Sequence, residues 1–134
     1  MMEWQERYEL GHVPMDATHQ EFVHLVNALA VAGNEDVVAA LKALIVHTEA
    51  HFAQEKLWME ASGFPPIHCH VGEHERVLES LGSVLAMAEK GNPGLGRVVA
   101  GELQAWFEQH AATMDAALAW HMRQAGYVPE AVPA

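Results

Sequence analysis

Apolar residues along this chain recur at steps of three and four, the spacing of one face of an α-helix, in four segments set apart by helix start and stop signals. The first segment spans about 16–32, opening on Asp16 as a good N-cap and closing at Gly33, with Phe22, Val23, Val26 and Leu29 on one side. The second, about 35–62, opens at Asn34-Glu35-Asp36, where a capping side chain precedes acidic first-turn residues, and stops near Gly63-Phe64-Pro65-Pro66. The third, about 67–90, runs from Pro66 to Gly91-Asn92-Pro93-Gly94. The fourth, about 95–125, ends before Gly126 and Pro129. Residues 1–15 form an N-terminal arm with Trp4, Tyr8 and Leu10 as packing anchors. Connections this short set successive helices side by side, so the expected fold is all-α: an up-down-up-down antiparallel four-helix bundle, one domain over 1–134.

Polar residues interrupt these stripes, and they are mostly histidines. The second stripe reads Val37, Leu41, Leu44, Thr48, His51, Glu55, Trp58. His51 and Glu55 therefore share one face, displaced by only about 40°. The third reads His70, His74, Val77, Leu81, Val84, Ala88; the fourth leads through Leu95, Val99, Leu103 and Trp106 to His110; on the first, His19 precedes Phe22. Antiparallel packing brings these groups toward one end of the bundle.

Composition agrees with helices: 51% of residues are hydrophobic and only 7% aromatic. The formal net charge of −11 disfavours nucleic acid and anionic membrane surfaces as partners. No stretch approaches the roughly 18 apolar residues of a membrane span. The first six residues lack the basic and then apolar character of a signal peptide, and the single Cys69, expected as a small buried residue, fits a reducing compartment. A cytoplasmic location is the expectation.

Ten histidines in 134 residues need a reason. Burying several imidazoles and a carboxylate without partners costs a few kcal/mol per unpaired group. One His-x-x-x-Glu or His-x-x-x-His is more often structural than not, but linked clusters at one level of a bundle argue for metal. Imidazole plus carboxylate without thiolate suits Fe, Mn, Cu or Zn. A lone zinc needs about four ligands, and more are on offer, so two metals are indicated. The glutamate-rich di-iron bundles fit poorly, because no Glu-x-x-His falls at the positions that pattern needs.

The residues resemble the hemerythrin family over nearly the whole chain. Its motifs occur in order as Gly11 to Met15 and Asp16-Ala17-Thr18-His19, His51-Phe52-Ala53-Gln54-Glu55 running to Met59, Gly63-Phe64-Pro65, His70 and His74, and Trp106-Phe107-Glu108-Gln109-His110 with Asp115; Trp4 matches the early Trp of bacterial members. The resemblance implies two Fe ions, one held by His70, His74 and His110, the other by His19 and His51. Glu55, Asp115 and an oxo or hydroxo group would bridge them. The second iron then keeps an open position for O2 or another small diatomic ligand, and two ferrous ions can supply two electrons to it. A histidine-rich shell favours reversible binding over oxidative attack. The implied role is an O2 carrier, store or sensor; the alternative is a di-iron enzyme with peroxidase, oxidase or nitric-oxide-handling activity. Protein partners are not indicated.

The chain departs from the family's pattern at Thr18, where Gln is usual, at Lys56, where a second Glu is common, and in the ligand pocket. That pocket is assigned to Phe22, Phe52, Trp106, Phe107 and Ala111; members commonly have Leu and Ile at the last two positions, so bulk has moved from one wall to the other. His47, one turn before His51, is read either as a proton donor behind the ligands, as an extra metal contact, or as a flank histidine reaching water, the last being favoured. His12, His24, His68 and His121 are assigned to surface or loop positions.

Spacing on the fourth helix conflicts with this ligand set. His110 and Asp115 are five apart, which separates them by about 140° on a regular α-helix. A wide, π-type turn between them would bring Asp115 back to the face of His110, and an approach from the flank across the neighbouring helix interface would also serve; a local widening or distortion between the two is the expectation.

Overall fold

A computed structural model of the chain describes residues 2–128; the stop signal at Pro129 lies outside them. Helices α1 (Val13–Ala30), α2 (Val37–Ser62), α3 (Ile67–Glu89) and α4 (Gly94–His110) are followed by a π turn (Ala111–Asp115) that leads straight into α5 (Ala116–Gln124). The last three pieces make one rod, so four rods alternate in direction. The first packs on the second and fourth, and the third on the same two. This is the antiparallel four-helix bundle, with no strand among the described residues. No helix is long and apolar enough to cross a membrane.

The N-terminal arm is shorter than the sequence suggested and contains one 3-10 turn, Glu6–Tyr8. Tyr8 is buried, and Trp4 and Leu10 pack against the core. The start of α1 corrects the reading of Asp16 as its cap. His12 holds that position, its Nδ1 accepting from the Met15 amide at 3.2 Å, while the Asp16 carboxylate accepts from the amides of Leu10 (2.8 Å) and Gly11 (3.2 Å). Asp16 thus fastens the arm to α1. Nor is α2 capped by a side chain: Asn34 instead accepts from Arg97 of α4 at 2.8 Å. Gly63, at φ 68°, ends α2 in the left-handed region, where lack of a Cβ removes the steric penalty.

Two apolar clusters fill the bundle. One includes Phe22, Leu29, Leu41, Leu44, Leu81, Val99 and Phe107. Its packing depends on Gly96, where a Cβ would stand 2.5 Å from Val37 Cγ1. The smaller is built from Met15, Trp58, Met59, Phe64, Leu118, Ala119 and Met122. On α4 the buried stripe is Val99, Ala100, Leu103, Phe107 and His110, whereas Leu95 is exposed. Between the clusters lies a layer of buried polar side chains.

Candidate metal centre

Among the described residues, His19, Thr48, His51, Glu55, His70, His74, His110 and Asp115 are the buried polar and charged ones, and all but Thr48 converge. His19 comes from α1, His51 and Glu55 from one face of α2, His70 and His74 from one face of α3. His110 ends α4, and Asp115 closes the π turn. The widened turn performs the correction that the five-residue spacing demanded. Asp115 is buried beside His110, its Oδ1 3.1 Å from His110 Nε2.

Each carboxylate divides its oxygens between two groups of histidines. Glu55 Oε2 lies 2.7 Å from His51 Nε2 and 3.5 Å from His19 Nε2, while Oε1 lies 3.2 Å from His70 Nε2 and 3.5 Å from His74 Nε2. Asp115 Oδ2 faces His19 Nε2 at 3.2 Å, and Oδ1 faces His70 at 3.1 Å. The donor atoms form two sets: Glu55, His70, His74, His110 and Asp115 in one, His19, His51 and Glu55 in the other.

Many of these close approaches are not hydrogen bonds. His19 Nε2, His70 Nε2, Glu55 Oε1 and Asp115 Oδ1 are buried and lack an aligned partner, although they crowd the same space. Burial opposes charge on His19, yet Asp115 and Glu55 outweigh it and raise its imidazole to about 10. Burial is likewise outweighed at His70, which the same carboxylates raise to about 9. Burial drives His74 the other way, to about 3. Glu55, despite burial and the like charge of Asp115, is held well below the carboxylate range by His51 and His19; His110 and His19 do the same for Asp115. Protons on His19 and His70 thus neutralise two buried anions. A cation would do so and give the partnerless nitrogen and carboxylate oxygen atoms a common partner, so the residues fit a metal group.

Aromatic rings surround the layer. Phe107 meets His19 edge-on at 5.2 Å and Phe22 at 5.6 Å, while Phe22 lies 6.3 Å from His51. Phe52 stacks flat on His74 at 3.7 Å and half-buried Trp106 on His110 at 4.4 Å. The expected pocket residues therefore spread over both histidine sets: Phe22 and Phe107 on the His19 side, Trp106 on the His110 side, and Phe52 against both, 5.3 Å from His51 as well as stacked on His74, with Ala111 buried next to His110 in sequence. His47 does not join either donor set. It lies on the flank of the bundle, partly exposed, and also ties α2 to α1, its Nε2 3.3 Å from the Thr18 carbonyl and its Nδ1 3.5 Å from Glu21.

Other corrections follow from tertiary contacts. Cys69 is exposed, not buried, since it precedes His70 by one residue and is turned about 100° from that face. His12 and His121 do more than occupy the surface: His12 lies 4.8 Å from Trp58, and His121 donates to the Ser62 carbonyl at 2.8 Å. His24 and His68 are exposed, as assigned. Sequence reasoning passed over Glu73. Its Oε1 accepts from His110 Nδ1 at 2.9 Å and from Trp106 Nε1 at 3.0 Å.

A helical bundle with a buried histidine and carboxylate layer is the architecture of a cation-binding protein, and the match is specific: the hemerythrin HHE cation binding domain matches residues 12–119. The chain belongs to that family. It is similar to a bacteriohemerythrin of Ralstonia nicotianae, 44% identical over 126 residues that cover 94% of this chain and 92% of the relative.

Proposed function

We propose that the chain holds two iron ions and binds O2 reversibly. His70, His74 and His110 would hold one ion, His19 and His51 the other, with Glu55 and Asp115 bridging. The observation that carries the reading is the division of both carboxylates between the same two histidine groups, which suits two cations and wastes donors on one. When bound, the ferrous pair supplies the two electrons that ligation of O2 calls on.

The protein's own residues supply the rest. All five imidazoles direct Nε2 toward the two carboxylates, and together these groups would hold the ions. The unequal ligand counts, five donors against four with both carboxylates shared, would leave room on the side of His19 and His51. There Phe22 and Phe107 form an apolar wall that excludes water and offers no proton. A proton donor at that wall would favour departure of the oxygen in reduced, protonated form and leave the iron oxidised; its absence from these two side chains favours retention of O2.

The test is direct: load the protein with iron, count about two ions per chain, reduce it, and admit O2. A visible band that persists and bleaches on degassing is the expected result. Rapid decay to the ferric form with turnover of added reductant would favour the enzymatic alternative, and one tight zinc with no iron would end the two-iron reading. The pocket can be tested separately. Phe107→Leu is expected to raise autoxidation several-fold by opening the wall. Ala111→Ile adds bulk at a site already 1% exposed, and should lower O2 affinity with about 1–3 kcal/mol of overpacking strain. Unchanged affinity and autoxidation in both variants would remove these residues from the ligand's surroundings.

A further inference from the structure

His110 differs from its fellow histidines at the atom facing away from the site. The Nδ1 atoms of His19, His51 and His70 are buried and lack a hydrogen-bond partner. That of His110 donates to a carboxylate, Glu73 Oε1, at 2.9 Å. The same oxygen accepts from Trp106 Nε1 at 3.0 Å, and the Trp106 ring lies stacked on the His110 ring, 19° from parallel. Imidazole, indole and carboxylate therefore fix one another. Glu73 is one-quarter exposed, and it and Trp106 help line a cleft of about 390 Å³ between α3 and α4, with Arg76 and Glu102 also on its lining.

We propose that Glu73 is a positioning residue that acts through His110 and makes the ion in the His70/His74/His110 set the more easily oxidised of the pair. The inference rests on the two-metal reading and deepens it. A carboxylate accepting from Nδ1 fixes the tautomer with Nε2 free for metal and increases the basicity of the ring. A more basic ring stabilises the higher charge on its metal. Nothing comparable supports His19 or His51, so the asymmetry between the two ions is built into the chain outside the ligand set.

The experiment compares Glu73→Gln, Glu73→Leu and Glu102→Gln in the full chain. Glutamine keeps an acceptor for Nδ1 and removes the charge. Leucine removes both. Glu102→Gln removes a charge from the same cleft without touching His110. Glu73→Gln is expected to keep its iron while the ferric-to-ferrous ratio at fixed poise falls about tenfold, a potential shift of about 59 mV for one electron, with a much smaller shift in Glu102→Gln. Glu73→Leu is expected to weaken metal binding by about 10- to 100-fold, measured by competition with a chelator. Equal potentials in the two Gln variants, or parental metal affinity in Glu73→Leu, would overturn the proposal. If the parent chain took one zinc instead of two irons, the two-iron reading would fall by itself. The chelator competition, read with zinc, would still decide whether Glu73 supports His110.

Discussion

Replacing Glu55 by glutamine is expected to empty the site and also to destabilise the metal-free chain. Glu55 is fully buried and faces four histidines through two oxygens. Glutamine matches its volume, so packing stays nearly constant while one of two buried anions disappears. His19 and His70, raised to about 10 and about 9 by Asp115 and Glu55 against the pull of burial, then lose half their counter-charge. Removing one partner from a buried ion network costs roughly 3–5 kcal/mol, and partial loss of the histidine protons places this case toward the lower end. His74→Ala provides the contrast. Burial lowers that imidazole to about 3, so it carries no charge near neutrality, and its metal-free contacts are the flat stack on Phe52 and a 3.1 Å approach of its Nε2 to His110 Nε2. It should abolish metal binding as thoroughly as Glu55→Gln, with a loss of metal-free stability that reflects a cavity and not an orphaned charge. Metal per chain and denaturant unfolding with metal removed separate the two. A Glu55→Gln protein with full metal content and an unchanged unfolding midpoint would refute the assigned role.

How much of this was legible in the sequence depended on the range of the interactions concerned. The four rods could be read because three- and four-residue spacing is a local property, and the rods bury most of the faces it predicts, with Leu95 exposed and Val84 and Trp106 half-buried as the departures. The polar layer could be read for the same reason, since His51 with Glu55, and His70 with His74, each occupy one face four residues apart. Helix starts were read less well. Residue type nominated Asp16 and Asn34 as caps, but Asp16 was drawn to the amides of Leu10 and Gly11, and Asn34 to Arg97, 63 residues away. Propensity ranks a residue's options without knowing what the fold will place beside it. Glu73 illustrates the limit. It sits on α3 between His70 and His74, where a solvated carboxylate is the ordinary case, and its partners are 33 and 37 residues distant. No local signal marks it.

The π turn was legible only as a contradiction, and it supports the sharpest prediction: removing one residue from it should be tolerated, whereas adding one should not. Ala112 is exposed within the turn. Without it, Asp115 would follow His110 by four residues, and a regular α-helix would then hold the two about 40° apart. That is the face the π turn already gives them, and Leu118, Ala119 and Met122 would also keep their direction toward Met15, Trp58 and Phe64. The Thr113 hydroxyl donates to the Gln109 carbonyl at 2.7 Å, the same bond four residues back that Thr18 makes to Pro14 in the regular helix α1, so it does not depend on the wide turn. Deletion of Ala112 is therefore expected to preserve folding and metal content. Insertion of one alanine after Ala112 would rotate everything beyond it by about 100°, carrying Asp115 away from the other donors. It would also turn Leu118 and Met122 out of the smaller cluster, each loss comparable to a core truncation of about 2–5 kcal/mol. Metal stoichiometry and thermal unfolding of the two variants give opposite results if the turn exists to restore register. A folded deletion variant unable to bind metal would show instead that the widened backbone, and not only the placement of Asp115, is needed at the site.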